Sequence, residues 1–159
     1  MSKSTGSGAS TPKPPQYPLL FFAAPVVAGL VIHFVWDVRF LPAEVALISG
    51  IVVLIAGAAF GMWAVWTMFR EGERPEPSHP TNKIVTTGPF RFSRNPIYVS
   101  FVVVATGLGL GLSSIPVLAG VATGFAALAL WVVPAEERYL SARFGDEYQE
   151  YCKRVRRWV

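Results

Sequence analysis

Apolar residues gather in long runs that alternate with short polar stretches along this chain of 159 residues. No Asp, Glu, Lys or Arg occurs between Val45 and Phe69, and none occurs between Asn95 and Ala135. A helix needs about 20 apolar residues to cross a hydrocarbon layer of about 30 Å. The pattern therefore predicts membrane-spanning helices.

The runs predict an all-α integral membrane fold with four transmembrane helices. The uncharged run after Asn95 is too long for one span, and Ser113 and Pro116 interrupt it, so it predicts two short spans in a tight hairpin. The predicted spans cover about residues 19–36, 45–69, 97–113 and 116–133.

Glycines spaced four residues apart occur on three of the predicted spans. The pairs are Gly57 and Gly61, Gly107 and Gly111, and Gly120 and Gly124. This spacing lets helices approach closely. Because such faces can pack within one chain or between chains, the sequence leaves the oligomeric state open.

Three polar regions surround the spans. Residues 1–18, rich in Ser, Thr, Gly and Pro, predict a disordered tail, which leaves one domain over residues 19–159. Residues 70–96 contain five prolines and predict a polar loop. Residues 135–157 predict an amphipathic helix at the membrane surface, because apolar residues recur there at steps of three or four. Those residues are Leu140, Phe144, Tyr148, Tyr151, Val155 and Trp158.

The distribution of charged residues predicts how the protein is oriented in the membrane. Hydrophobic residues make up 52% of the chain and charged residues 15%, and the net charge is +4. The basic residues flank the apolar runs, which favours contact with lipid headgroups over nucleic-acid binding. Arg39 is the only basic residue between the first two spans, whereas the loop and the tail carry eleven together. We therefore expect both on the cytoplasmic face of a bacterial inner membrane.

Two polar clusters are candidates for chemistry. In the loop, Gly88 predicts a turn, and Pro96 suits the first turn of the third span, where free N–H groups and Arg94 would attract an anion. A positively charged anchoring loop is the alternative. Glu136 and Glu137 follow the fourth span and return to the same face. They could contact a ligand, or they could simply open the amphipathic helix.

The other candidate residues give weaker evidence of a functional site. His33 and Asp37 form a helical pair at the opposite face and are too few to hold a metal. His79 is expected to serve loop packing. The lone Cys152 excludes an intramolecular disulfide, and no metal site is predicted.

Together, residues 83–98 and the pattern Glu-Glu-x-x-Leu-x-x-x-Phe-Gly-x-x-Tyr-x-x-Tyr over residues 136–151 resemble the integral-membrane methyltransferases. This group includes isoprenylcysteine carboxyl methyltransferases and phospholipid N-methyltransferases, and the resemblance covers residues 67–158. It implies that S-adenosylmethionine is the methyl donor. The cofactor-binding positions that it implies are Asn82, Lys83, Ile84, Val85, Phe90, Asn95, Pro96, Ile97, Tyr98 and Glu136.

The resemblance also implies roles near the reaction. Arg94 would orient an anionic group, and Glu137 would support the site electrostatically or act as a base for an amine acceptor. Asn95 stands where the prenylcysteine enzymes carry His, and Val132 stands where they carry a substrate-contacting Arg. The second departure weakens the case for a prenylcysteine carboxylate as the acceptor.

The predicted function is methyl transfer to a lipophilic small molecule or lipid, in the manner of isoprenylcysteine carboxyl methyltransferases. Phospholipid N-methylation is the alternative acceptor chemistry. A membrane reductase and a non-enzymatic membrane scaffold remain as further alternatives. Membrane lipids are the expected surroundings in every case.

Overall fold

A computed structural model describes residues 18–36, 39–75 and 82–159. Its helices are α1 (Pro18–Val35), α2 (Ala43–Arg70), α3 (Pro96–Gly111), α4 (Ile115–Ala127), α5 (Val133–Phe144) and α6 (Asp146–Arg154). A 3₁₀ turn (Gly88–Arg91) lies in the polar loop, and a π-helical segment (Leu128–Val132) joins α4 to α5. Residues 1–17 of the predicted tail, together with Asp37 and His79, lie outside the described residues.

The described residues confirm the all-α prediction. Three helices are long and apolar enough to cross a membrane, namely α1, α2 and the continuous helix Ile115–Phe144. The predicted count of four spans is not confirmed. The remaining apolar helix, α3, has 16 residues, which reach about 24 Å at about 1.5 Å per residue, less than the thickness of a hydrocarbon layer. The predicted break between α3 and α4 and the start of α3 at Pro96 are both confirmed.

Glycines set the distances between the helices. A Cβ atom on Gly107 of α3 would lie 2.5 Å from the backbone nitrogen of Leu54 in α2. A Cβ atom on Gly120 of α4 would lie 2.3 Å from the carbonyl oxygen of Pro25 in α1. These glycine faces therefore pack within the chain, where they join α3 to α2 and α4 to α1.

The helix does not stop where the fourth span was predicted to end, at residue 133. Pro134 cannot donate a backbone hydrogen bond to the preceding turn, and the π-helical segment ends two residues before it, at Val132. Such a segment accommodates the missing bond without ending the helix. As a result, one continuous helix carries the chain from Ile115 past Glu136 to Phe144.

The prediction of one amphipathic helix over residues 135–157 is wrong. Gly145 has a φ of +51° and ends α5, α6 ends at Arg154, and Val155 is extended. Beyond it, Trp158 returns to the helices, with its ring centroid 4.9 Å from that of Phe125. The predicted apolar stripe is therefore divided among two helices and an extended segment.

The glycine contacts can be tested with two alanine substitutions on α3. Gly107→Ala forces a Cβ atom against the α2 backbone, and overpacking of this kind costs about 1–3 kcal/mol. In Gly111→Ala, the matched control, the new Cβ atom would meet Gly50 Cα at an ordinary 3.7 Å. Thermal unfolding in detergent should show a lowered Tm only for Gly107→Ala. Equal Tm values for the two variants would contradict this packing.

Candidate functional site

A cavity of about 370 Å³ lies between the polar loop, the start of α3 and helices α5 and α6. Ten of the twelve residues predicted for the site line it. They are Lys83, Ile84, Val85, Phe90, Arg94, Asn95, Pro96, Ile97, Tyr98 and Glu136. The other two, Asn82 and Glu137, do not line it. The fold therefore brings the two polar clusters of the sequence to one cavity.

Glu73 is a cavity residue that the sequence reasoning missed. Its side chain is buried, and Oε1 accepts hydrogen bonds from the backbone N–H groups of Asn82 and Lys83, each at 3.1 Å. These bonds fix the segment that continues into Ile84 and Val85 as a wall of the cavity. In the sequence, Glu73 is only an acidic residue before a proline-rich stretch, and no motif surrounds it. Further lining residues that were not predicted include Met68, Arg74, Phe101, Tyr139, Leu140, Tyr148 and Tyr151.

Glu71 organises the outer edge of the same loop. Lys83 Nζ donates to its Oε2 at 2.5 Å, and Thr87 Oγ1 donates to its Oε1 at 3.1 Å. The hydrogen bonds from Lys83 and Thr87 lower the pKa of the Glu71 carboxyl. Because the Lys83 and Glu71 side chains are 47% and 32% exposed, this pair adds little stability. It links the loop to the residue that follows α2.

Tyr98 and Glu136 meet across the cavity wall. The phenol of Tyr98, in the first turn of α3, donates to Glu136 Oε1 in α5 at 2.5 Å. Both side chains are largely buried, and both line the cavity. The bond therefore holds a carboxylate at the cavity surface in one orientation.

Glu137 faces a pair of arginines. Arg157 donates to both of its oxygens, from Nε at 3.0 Å and from Nη2 at 2.5 Å. Arg94 Nη1 lies 3.1 Å from Glu137 Oε1 and donates to Cys152 Sγ at 2.6 Å. Arg94 Nε is buried without a hydrogen-bond partner among the described residues. Glu137 therefore holds Arg94, while Arg94 itself lines the cavity.

The end of the chain lies against the polar loop. Arg94 N–H donates to the carbonyl of Arg156 at 2.9 Å. The carbonyl of Arg157 accepts from Asn95 Nδ2 at 2.9 Å and from Ser93 Oγ at 3.3 Å. We call residues 156–158 the C-terminal strap. It fixes both the backbone of Arg94 and the side chain of Asn95, and its sequence carries no periodic signal that would predict this.

Two tyrosines of α6 close the cavity on another side. Tyr148 and Tyr151 are buried and line it, and the Tyr151 phenol donates to the carbonyl of Phe90 at 2.8 Å. Burial raises the pKa of both phenols, so they stay protonated at neutral pH.

The cavity combines three kinds of surface. Ile84 and Phe90 give apolar walls, Glu136 gives a carboxylate, and Arg94 gives a cation. Such a site can hold a ligand that has opposite charges beside an apolar or aromatic part. His33, the first member of the other predicted pair, does not line it.

Comparisons with known proteins identify the family. The sequence model described as phospholipid methyltransferase matches residues 45–147. The chain belongs to this family of membrane methyltransferases, as its two motifs predicted. The family and the apolar helices together make it an integral membrane protein.

Three curated proteins with different descriptions are similar to this chain. The nickel-cobalt-cadmium resistance protein NccN of Alcaligenes xylosoxydans xylosoxydans is 28% identical over 82% of this chain and 56% of that protein. The cobalt-zinc-cadmium resistance protein CzcN of Cupriavidus metallidurans is 37% identical over 46% of this chain and 34% of that protein. A probable protein-S-isoprenylcysteine O-methyltransferase of Oryza sativa subsp. japonica is 31% identical over 67% of this chain and 56% of that protein.

The chain thus spans between about a third and somewhat over half of these relatives' lengths. No solved structure matches the chain significantly.

The charge cluster around Glu137 can be tested by removing its charge. Glu137→Gln removes the charge that the two hydrogen bonds from Arg157 and the ion pair with Arg94 depend on, and a hydrogen bond to a charged group is worth about 1.5–3 kcal/mol. Glu150→Gln is the matched control, because Glu150 pairs with Lys153 and their side chains are 61% and 70% exposed. Thermal unfolding should show a clear loss of stability for Glu137→Gln and a change within about 0.5 kcal/mol for Glu150→Gln. Similar losses in both would refute a structural role for the cluster.

Proposed function

We propose that the chain is an S-adenosylmethionine-dependent methyltransferase that acts on a lipophilic acceptor at the membrane surface, in the manner of isoprenylcysteine carboxyl methyltransferases. The observation that carries the proposal is the single cavity that brings Glu136, fixed by Tyr98, to the same space as Arg94, fixed by Glu137. The concentration of basic residues in the loop and tail supports a cytoplasmic site in a bacterial inner membrane.

The residues of the cavity fit the proposed methyl donor. S-adenosylmethionine has a sulfonium cation, an amino-acid end and an adenine ring. The Glu136 carboxylate suits its hydroxyl or cationic groups, and the buried Nε of Arg94 suits its carboxylate. The rings of Phe90 and Tyr98 offer faces to the cation or the adenine, and Ile84 adds apolar surface. When bound, this cofactor supplies an activated methyl group.

Positioning is the main task of the protein in such a reaction, because the methyl group moves by in-line displacement. In this proposal Arg94 orients an anionic group of the acceptor or cofactor, and the strap holds its backbone in place. Glu136 holds the cofactor, and Tyr98 holds Glu136. Arg157 donates hydrogen bonds to both oxygens of Glu137. Glu137 therefore supports Arg94 and is poorly placed to act as a base. A carboxylate acceptor needs no base, because it is already the nucleophile.

Phospholipid N-methylation is the second candidate, and the description of the matching family favours it. Its acceptor is an amine, which must lose a proton before or during transfer. A non-enzymatic scaffold is the alternative of another class, and it predicts no cofactor binding.

Cofactor binding can be measured by isothermal titration with S-adenosylmethionine. The wild-type protein should bind in the micromolar range, and Glu136→Ala should weaken binding at least about tenfold, since it removes a charged hydrogen-bond acceptor worth about 1.5 kcal/mol or more. Glu147→Ala, at an exposed position of α6, is the control and should bind like the wild type. Undiminished affinity in Glu136→Ala would remove the proposed role of Glu136, and a wild-type protein that does not bind would favour the scaffold.

The acceptor can be classified with radiolabelled cofactor and native lipid extract. Label that mild alkali releases as methanol indicates a carboxyl methyl ester, whereas label that survives indicates an N-methyl group. Arg94→Lys should lower kcat/KM about 100-fold through misplacement of the reacting groups. The control is Arg91→Lys, at an exposed position of the 3₁₀ turn. Equal rates for the two variants would exclude the role proposed for Arg94.

A further inference from the structure

Trp158 anchors the C-terminal strap in the apolar core. Its ring meets that of Phe125 in α4 edge to face, with the two centroids 4.9 Å apart, and aromatic pairs of this geometry add to the free energy gained by burial. The indole also packs against a cluster of buried side chains from α1, α3, α4 and the π-helical segment. The members of this cluster are Phe22, Ala105, Val121, Leu128 and Val132.

The two other residues of the strap have no anchor of this kind. Arg156 is exposed, and the side chain of Arg157 is bonded to Glu137. Val155, directly before the strap, is extended, so α6 has already ended and no longer directs the backbone. The position of the strap backbone therefore depends on Trp158.

That backbone holds three consecutive residues at the cavity. The carbonyl of Arg156 accepts from the N–H of Arg94 at 2.9 Å. The carbonyl of Arg157 accepts from Asn95 Nδ2 at 2.9 Å and from the hydroxyl of Ser93, which is fully buried. The same hydroxyl accepts from the N–H of Asn95 at 3.1 Å. A shift of the strap would therefore move Arg94 and Asn95 together.

We propose that Trp158 is a positioning residue for Arg94 and Asn95. It lines no part of the cavity, and it acts by fixing the strap whose carbonyls orient these two residues. Its effect on methyl transfer rests on the proposed function, whereas the coupling between a core side chain and the polar loop does not. A tryptophan that served only the stability of the fold would affect the helices and the loop alike.

The coupling can be measured without a ligand, by residue-resolved hydrogen–deuterium exchange of the full chain in bilayer nanodiscs. Trp158→Ala should speed exchange of the Arg94 amide at least about tenfold, because the carbonyl of Arg156 then no longer protects it steadily. The amide of Val103, in the middle of α3, should exchange as in the wild type. Trp131→Ala is the control, since that ring is 63% exposed and lies outside the cavity, and it should change neither amide.

Two further variants grade the anchor. Trp158→Phe keeps an aromatic ring and should restore most of the protection at Arg94. Trp158→Leu keeps apolar volume without the aromatic contact and should give an intermediate rate of exchange. If Trp158→Ala does not fold, the comparison of these two variants with Trp131→Ala decides the inference.

The effect on the reaction can be measured by a double-mutant cycle with radiolabelled S-adenosylmethionine and native lipid extract. Trp158→Ala should lower kcat/KM about 100-fold, since a displacement of about 1 Å in the site can cost that much. In the Arg94→Lys background the same substitution should lower it little further, because both changes disturb the placement of one group. Trp131→Ala should leave kcat/KM unchanged.

Protection of the Arg94 amide at the wild-type level in both Trp158→Ala and Trp158→Leu would overturn the inference. Equal acceleration at Arg94 and Val103 would also overturn it, since the substitution would then act on the whole fold. Additive losses of kcat/KM in the cycle would show that Trp158 does not act through Arg94. A wild-type protein that transfers no methyl group would refute the proposed function, and the exchange rates would still decide whether Trp158 positions the loop.

Discussion

The carboxylate of Glu137, held between Arg94 and Arg157, is the interaction on which the site depends. The Arg94 and Glu137 side chains are only 15% and 17% exposed, so each charge would be costly without the other. Because Arg157 belongs to the end of the chain and Arg94 to the polar loop, the two ion pairs of Glu137 together join segments more than 60 positions apart. The conformation of the loop is therefore coupled to the docking of the strap.

The adjacent residues Glu136 and Glu137 divide two tasks. Successive residues of an α-helix point about 100° apart, so one side chain turns to Tyr98 and the cavity while the other turns to the arginines. Both lie on a helix that continues from the membrane through the π-helical segment. A continuous helix places them more firmly than a flexible connection after residue 133 would.

The sequence predicted those parts of the fold that have a local cause. Long uncharged runs predicted the apolar helices, and Pro96 predicted the start of α3. Motif resemblance selected ten of the 21 residues that line the cavity. The strap escaped prediction because it is fixed by the backbone carbonyls of Arg156 and Arg157, which no side-chain pattern reports.

Two further features could not be read from the sequence. Steps of three and four residues fitted a single helix through Gly145, and only tertiary contacts favour the break there. Glu73 was equally hidden, since its partners are backbone N–H groups of a loop nine and ten residues away.

The short length of α3 creates the space for the site. Gly61 of α2 lies opposite Ser100 of α3, so in an antiparallel pair Pro96 falls near the level of Val65. The last turn of α2, up to Arg70, then extends about 7.5 Å beyond the start of α3, at about 1.5 Å per residue. The 3₁₀ turn occupies part of the space beside this last turn of α2, because a Cβ atom on Gly88 would lie 2.6 Å from Thr67 Oγ1.

A longer α3 would occupy this volume with helix. Because α3 begins only at Pro96, the polar groups of the loop lie at the level of the last turn of α2, where Arg70 lies over the Trp66 ring. Indole rings and long cationic side chains favour the interface between hydrocarbon and headgroups. The offset between the end of α2 and the start of α3 therefore sets the cavity at a depth that can be reached both from water and from the membrane.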